Sequence, residues 1–194
     1  PGYLTQAQPI SFPVGNGQKS YAIWYPPKNA DFHGSPDEKP PLVVISHGGP
    51  TSQTDGSLSM GIQFWTSRGI GVVDVNYRGS SGYGRAYRDA LQRTWGLYDA
   101  EDCIAAAQYL ADKRLVDPER LTIRGGSAGG YTTLVALAFH DKFAAGASYY
   151  GVADLRALAE HTHKFESRYL DGLIAPYPEG IAIYDQRSEI KHID

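Results

Sequence analysis

Leu121-Thr122-Ile123-Arg124-Gly125-Gly126-Ser127-Ala128-Gly129-Gly130-Tyr131 is the stretch that decides the fold. A short β-branched and apolar run (Leu121, Thr122, Ile123) leads into two glycines, a serine, an alanine and two more glycines. A mainly apolar segment without proline or glycine follows, from Tyr131 to Phe139. That order predicts a strand, a tight turn and a helix. Residues 125–129 also fit Gly-x-Ser-x-Gly, a pattern in which a sharp strand-to-helix turn lifts a serine out of the sheet. A side chain at Gly125 or Gly129 would obstruct the reversal, and the serine itself is expected in a strained conformation. Ser127 is therefore the candidate nucleophile. The backbone N–H of Ala128, at a helix N-terminus that favours negative charge, is a candidate oxyanion donor. A plain glycine–serine turn is the competing reading of the motif alone. The strand before it and the apolar helix after it favour the elbow.

Outward from this stretch, strands alternate with helices. Residues 1–26 carry two alternating apolar runs around Gly15-Asn16-Gly17-Gln18, which predicts a β-hairpin. The proline-rich segment from Pro26 to Pro41 has no periodicity and reads as a surface loop. Leu42-Val43-Val44-Ile45 is a continuous apolar run, as expected of a strand buried on both faces. It ends in Ser46-His47-Gly48-Gly49-Pro50-Thr51, where two glycines let backbone N–H groups approach a ligand. A second oxyanion donor is expected there.

Ser57 to Arg68 reads as a helix with Met60, Phe64 and Trp65 on one side. Residues 70–76 read as another buried strand, running into the glycine-rich loop Tyr77 to Gly84. That loop lacks both the dinucleotide and the phosphate-loop patterns, so no nucleotide is expected. Leu97, Ala100, Ile104, Ala107 and Ala111 step along one face of a helix from Gly96 to about Arg114. Asp99 and Asp102 near its start read as helix-end electrostatics and a tether to a neighbouring loop. One more strand is expected within residues 143–152, and residues 153–194 read as helical or irregular. The predicted fold class is α/β: a mostly parallel sheet with helices on both faces and its site at the strand carboxyl ends.

Composition narrows the function classes. The chain has 194 residues, 42% hydrophobic and 20% charged, with net charge −3. That is an ordinary globular composition without a basic cluster, so neither nucleic acid nor an anionic membrane is an expected partner. A single cysteine, Cys103, excludes an internal disulfide and points to a reducing, cytoplasmic setting. One cysteine and six scattered histidines give no zinc spacing, and no cofactor is expected. His161 and His163 are a weak metal hint and read better as a solvated helix start. The 14 tyrosines suit a broad polar-aromatic interface, and a homo-oligomer is left open. The chain opens on Pro1 and closes on Ile193-Asp194, and both ends are expected to continue into a longer protein.

Four blocks carry a family resemblance. His47-Gly48-Gly49-Pro50-Thr51, Asn76 to Gly84, Trp95-Gly96 with Asp99 and Asp102, and Gly125 to Tyr131 together resemble the prolyl oligopeptidase family of serine peptidases. Within it, the acylaminoacyl-peptidase and dipeptidyl-aminopeptidase-like branch is the nearest match. The resemblance implies an α/β-hydrolase catalytic domain over residues 27–194, incomplete at its C-terminal end, with the 1–26 hairpin leading into it. It implies an upstream β-propeller, downstream catalytic strands, and cleavage of short peptide substrates by acyl transfer. Carried over, Ser127 is the nucleophile, and the N–H groups of Ala128 and Gly49, with Gly48 second to Gly49, form the oxyanion hole. Arg78, Trp95 and Tyr131 match positions read as packing or loop anchors. Pro50 stands where related lipases and esterases usually have a third glycine.

The fold's triad order is serine, acid, histidine. The acid and base are expected beyond residue 194, which leaves the chain by itself weakly active or inactive. A compact alternative uses Asp154 with His161, His163 or His192. Asp154 reads better as a helix cap and the histidines as surface residues. The rival readings are a carboxylesterase or amidase on the same elbow, and a catalytically incomplete hydrolase-like fragment with an exposed apolar edge.

Overall fold

The computed structural model describes residues 2–164 and 168–192. The alternating runs at the N-terminus form the expected hairpin. Strand β1 (Gln8–Pro13) pairs antiparallel with β2 (Lys19–Tyr25), in register from Gln8 opposite Trp24 to Pro13 opposite Lys19. Asn16 takes the left-handed conformation of the connecting turn at φ 59°, which asparagine tolerates better than most residues. The buried apolar runs become β3 (Leu42–Ser46), β4 (Gly71–Asn76) and β5 (Leu121–Gly126), followed by β6 (Ala145–Tyr149).

Strand order across the sheet is β1-β2-β4-β3-β5-β6. Strand β3 is parallel to both β4 and β5, and β5 is parallel to β6. The hairpin joins through β2, antiparallel to β4. The four parallel strands therefore all end on one side, and every loop with a site motif leaves from that side.

Period-2 alternation sorts the strand residues between two cores. Leu42, Val44, Val73, Val75, Leu121 and Ile123 face α3 (Tyr98–Asp112) and α4 (Ala128–Phe139). Ile23, Tyr25, Val43 and Val72 face α1 (Met60–Thr66) on the opposite side. A short α2 (Arg85–Asp89), which the hydropathy pattern does not signal, lies between β4 and α3. After β6 come α5 (Leu155–His161), α6 (Tyr169–Leu173), α7 (Ile181–Gln186) and a 3-10 turn at Glu189–His192. Among the described residues no helix is long and apolar enough to cross a membrane.

Two helix faces differ from expectation. In α1 the buried residues are Ile62, Gln63 and Thr66, while Met60 is 69% and Phe64 49% exposed. Ser59 caps the helix by accepting from Ile62 N–H, and this phase turns Gln63 inward. Gln63 fits there because its amide pairs with the Thr5 backbone, accepting at 2.9 Å and donating at 3.2 Å. In α3 the buried stripe contains Ala100 and Ala107, as expected, together with Asp99, Asp102, Cys103, Ala106 and Leu110, and Leu97 lies outside the helix, 42% exposed. Hydropathy found part of the stripe and left out two of its members because they are carboxylates.

Both carboxylates are paired. Asp102 accepts from the Arg78 backbone N–H at 2.7 Å and from its guanidinium Nη2 at 2.7 Å and Nε at 3.0 Å. Arg78 is itself buried, stacked 3.6 Å over Tyr98, with further bonds to Gln18 and Glu101. Asp99 accepts from Gly96 N–H at 2.7 Å and from the Thr132 hydroxyl at 2.6 Å, tying α3 to α4. The expected loop tether is thus real, and it lies in the core.

Glu189 is buried where the last turn packs against α4, and among the described residues neither carboxylate oxygen has a hydrogen-bond partner. Burial pushes its pKa from 4.5 up to about 8. The folded chain then holds a proton that the unfolded chain has lost. Its contribution to stability is complete below the ordinary carboxylate pKa and is lost as pH rises through about 8.

Two expectations follow from these buried charges. Asp102→Ala should lower the unfolding free energy by about 3–5 kcal/mol in urea titration, because it strands a buried guanidinium. A joint Arg78→Met, Asp102→Leu replacement should cost less. Glu189→Gln should raise the melting temperature at alkaline pH and flatten its decline between acid and alkaline pH; an unchanged pH profile would refute the assignment.

Candidate active site

The reversal between β5 and α4 is built from missing side chains. A Cβ on Gly129 would lie 2.1 Å from Ser46 O, and one on Gly125 would lie 2.2 Å from Gly129 O. Neither gap accepts a carbon atom, and in both cases the neighbour is backbone. The helix therefore starts against the end of β3. Ser127, the residue between, is forced to φ 55°, ψ −121°. A non-glycine residue held there stores on the order of 1–3 kcal/mol of strain. The surrounding bonds hold it: Ser127 N–H donates to Tyr149 O at 3.0 Å, and Ser127 O accepts from Tyr131 N–H at 3.0 Å.

The outcome is an exposed serine above a buried helix start. Ala128 is buried, and its N–H, in the first turn of α4, has no carbonyl four residues back within the helix. The loop after β3 comes alongside. A Cβ on Gly48 would stand 3.2 Å from Gly126 O and 3.8 Å from Ser127 Cβ. Gly49, next in sequence, takes φ +50°, a turn suited to glycine. Ser127, Ala128 and Gly48 thus meet at the carboxyl ends of β5 and β3, with Gly49 next along the loop.

The loop is fastened from behind. His47 stacks on Tyr77 with ring centroids 4.3 Å apart. Its Nδ1 is 2.9 Å from Gly48 O, and its Nε2 is 2.7 Å from Ser80 Oγ. A carbonyl only accepts, so Nδ1 carries the proton and Nε2 accepts from Ser80. Burial lowers the His47 pKa, which keeps the ring neutral. Thr54 and Asn76 exchange two further bonds, at 2.8 and 2.9 Å, and Ser81 N–H donates to Ser52 O at 2.9 Å. These contacts join the His47–Thr54 loop to the Arg78 loop.

The acid and two of the histidines of the compact triad have other places in the fold. Asp154 is the N-cap of α5, accepting from Ala157 N–H at 3.0 Å. His192 contacts Gln186 O and meets the Phe139 ring edge-on. His161 closes α5 rather than starting a helix, which corrects the expectation for that position. Among the described residues no hydrogen bond reaches Ser127 Oγ, and no group of three or more His, Cys, Asp or Glu could hold a metal ion. Trp95 and Tyr131, expected as anchors, are buried against each other with ring centroids 4.6 Å apart.

Comparison with known proteins gives this geometry a family. The model of the prolyl oligopeptidase family matches residues 56–194. The acylamino-acid-releasing enzyme of Arabidopsis thaliana is 33% identical over 165 residues, covering 79% of this chain and 21% of that protein. Dipeptidyl aminopeptidase BIII of Pseudoxanthomonas mexicana is 32% identical over 150 residues, covering 76% of this chain and 22% of that protein. The solved structure of a Mycobacterium tuberculosis puromycin-hydrolyzing peptidase superposes with a TM-score of 0.97 at 49% identity, covering 98% of this chain and 29% of that one. The chain thus spans between a fifth and a third of these relatives' length. The fold is that of an α/β hydrolase.

The elbow's packing is directly testable. Gly129→Ala should destabilise the chain by more than about 3 kcal/mol, beyond ordinary overpacking, since backbone cannot yield as a side chain does. Gly61→Ala is the control: its Cβ would meet nothing closer than Ser59 Oγ at 3.7 Å, and stability should hold or rise.

Proposed function

The chain belongs to the prolyl oligopeptidase family, and we propose that the protein carrying it is a serine peptidase that cleaves short peptides of the acylaminoacyl or dipeptidyl type. The observation that carries this reading is the exposed, strained Ser127 at the buried start of α4, with Gly48 alongside. Ser127 Oγ attacks the scissile carbonyl carbon. The N–H groups of Ala128 and Gly49 receive the developing oxyanion, at a helix N-terminus that favours negative charge. A histidine takes the serine proton and returns it to the leaving amine, and water then releases the acyl group.

That histidine is placed beyond residue 194 in this reading, since His47 fastens the loop after β3, His161 closes α5 and His192 contacts Gln186 O. The upstream propeller and the downstream strands belong to the same proposal, supported by the share of each relative that this chain covers. A cytoplasmic location is proposed on the single cysteine, Cys103, which is buried and free.

A carboxylesterase on the same elbow is the second reading. A panel of peptide anilides and short-chain esters, offered to the full-length protein, separates the two. Peptide anilides should be turned over in preference to esters, and Ser127→Ala should lower that turnover at least about a thousandfold. Preferred ester turnover would move the assignment to an esterase, and retained activity in Ser127→Ala would remove the nucleophile.

A further inference from the structure

Asp74 is a buried carboxyl in the middle of the sheet, with no part in the elbow. It sits on β4 between Ile23 of β2 and Ile45 of β3, two residues before Asn76. Period-2 alternation puts Asp74 and Asn76 on one face of the strand. Thr54 binds both. Its hydroxyl donates to Asp74 Oδ2 at 2.8 Å, its N–H donates to Asn76 Oδ1 at 2.8 Å, and its carbonyl accepts from Asn76 Nδ2 at 2.9 Å. Asp74 Oδ1 is buried and has no hydrogen-bond partner among the described residues. The core gains nothing from a carboxyl that makes a single bond, and an apolar side chain there would serve it as well. The bond that Asp74 does make is to a loop.

That loop leaves β3 with Gly48 and Gly49. Ser52 N–H donates to Gly49 O, and Ser52 O accepts from Ser81 N–H at 2.9 Å. Beyond Thr54 the chain turns at Gly56, where φ is +77° and a Cβ would stand 3.0 Å from Ile23 Cδ1. Ser81 thus holds the loop near its glycines, and Asp74 and Asn76 hold its far end. Among the described residues Asp74 has no ion-pair partner. Neither β3 nor α1 contains a titratable residue. β2 presents the Tyr25 phenol, the loop presents the exposed Asp55 carboxylate, and the Cys103 thiol of α3 lies across the sheet. Burial pushes the Asp74 pKa from 3.8 up to about 6, with the Thr54 bond working against the rise and Asp55 with it.

We propose that Asp74 is a positioning residue, whose carboxyl fastens Thr54 and thereby holds the loop after β3 at the strand ends beside Ser127. In the peptidase reading, on which only this consequence rests, the loop carries an oxyanion donor, and closing the loop aligns that donor. The neutral acid fastens best: its carbonyl oxygen accepts from Thr54, and no charge is buried. When the loop opens, the carboxyl meets water and regains its ordinary pKa. Protonation therefore favours the closed loop. The advantage is complete below the ordinary value of 3.8, declines as pH rises toward about 6, and is gone above it.

Amide hydrogen exchange in the full-length protein, read by mass spectrometry and corrected for intrinsic rates, tests this without depending on turnover. Protection of residues 50–56 should fall about tenfold to a hundredfold between about pH 4 and pH 6.5 and then level off. Asp74→Asn, which cannot ionise, should make that profile flat in a protein that still folds by circular dichroism. Thr54→Val keeps the Asn76 bonds and loses the Asp74 bond, and it should lower the protection of residues 50–56 at acid pH. A flat profile in the unsubstituted protein, a decline that persists in Asp74→Asn, or undiminished protection in Thr54→Val overturns the proposal. Failure of the peptidase reading registers separately, as the absence of Ser127-dependent amide hydrolysis, and leaves the exchange profile standing.

Discussion

The site depends on how closely the first turn of α4 approaches the end of β3. With a Cβ on Gly129 only 2.1 Å from Ser46 O, the two segments are separated by no side chain at all. That contact makes the turn sharp, and the sharp turn sets the serine. Ser127 reaches φ 55° because the residues around it leave no other path, and its exposure follows from the same geometry. Strain at the serine is held by packing elsewhere: Gly125 against Gly129, Gly130 against Gly151, and the β6 carbonyl that accepts from Ser127 N–H. The rigid sheet is what allows a single residue to be held uphill.

A second chain of contacts positions the loop after β3, and it starts far from the serine. Asp102, inside α3, fixes Arg78 through its backbone and its guanidinium together. Arg78 opens the loop that carries Ser80, Ser80 donates to His47, and His47 adjoins the glycines beside Ser127. Asp99 secures the other side by joining Gly96 to Thr132 on α4. Two carboxylates one helical turn apart thus serve the two halves of the site without touching a substrate. Buried polar contacts of this kind add little net stability beyond an apolar core, but they favour one loop arrangement over others.

Much of this was legible in the residues. Gly125 and Gly129 announced the elbow because only a missing side chain permits it, and apolar runs announced β3, β4 and β5 because strands buried on both faces have no reason to alternate. The face of α1 was misread, since Gln63 is buried through hydrogen bonds that hydropathy does not register. The stripe of α3 was read in part, through Ala100 and Ala107, and its two carboxylates were left off the buried face because their partners are distant in sequence.

The central claim is the proposal that Ser127 is held for attack but is not activated within the 194-residue chain; among the described residues no hydrogen bond reaches its Oγ. The direct measurement is exposure of the 194-residue chain to a fluorophosphonate, followed by intact mass. The reagent requires an activated serine. The expected result is an unmodified chain of 21.2 kDa, with labelling restored in the full-length protein. A stoichiometric adduct on Ser127 in the 194-residue chain would contradict the claim and place a working base inside it.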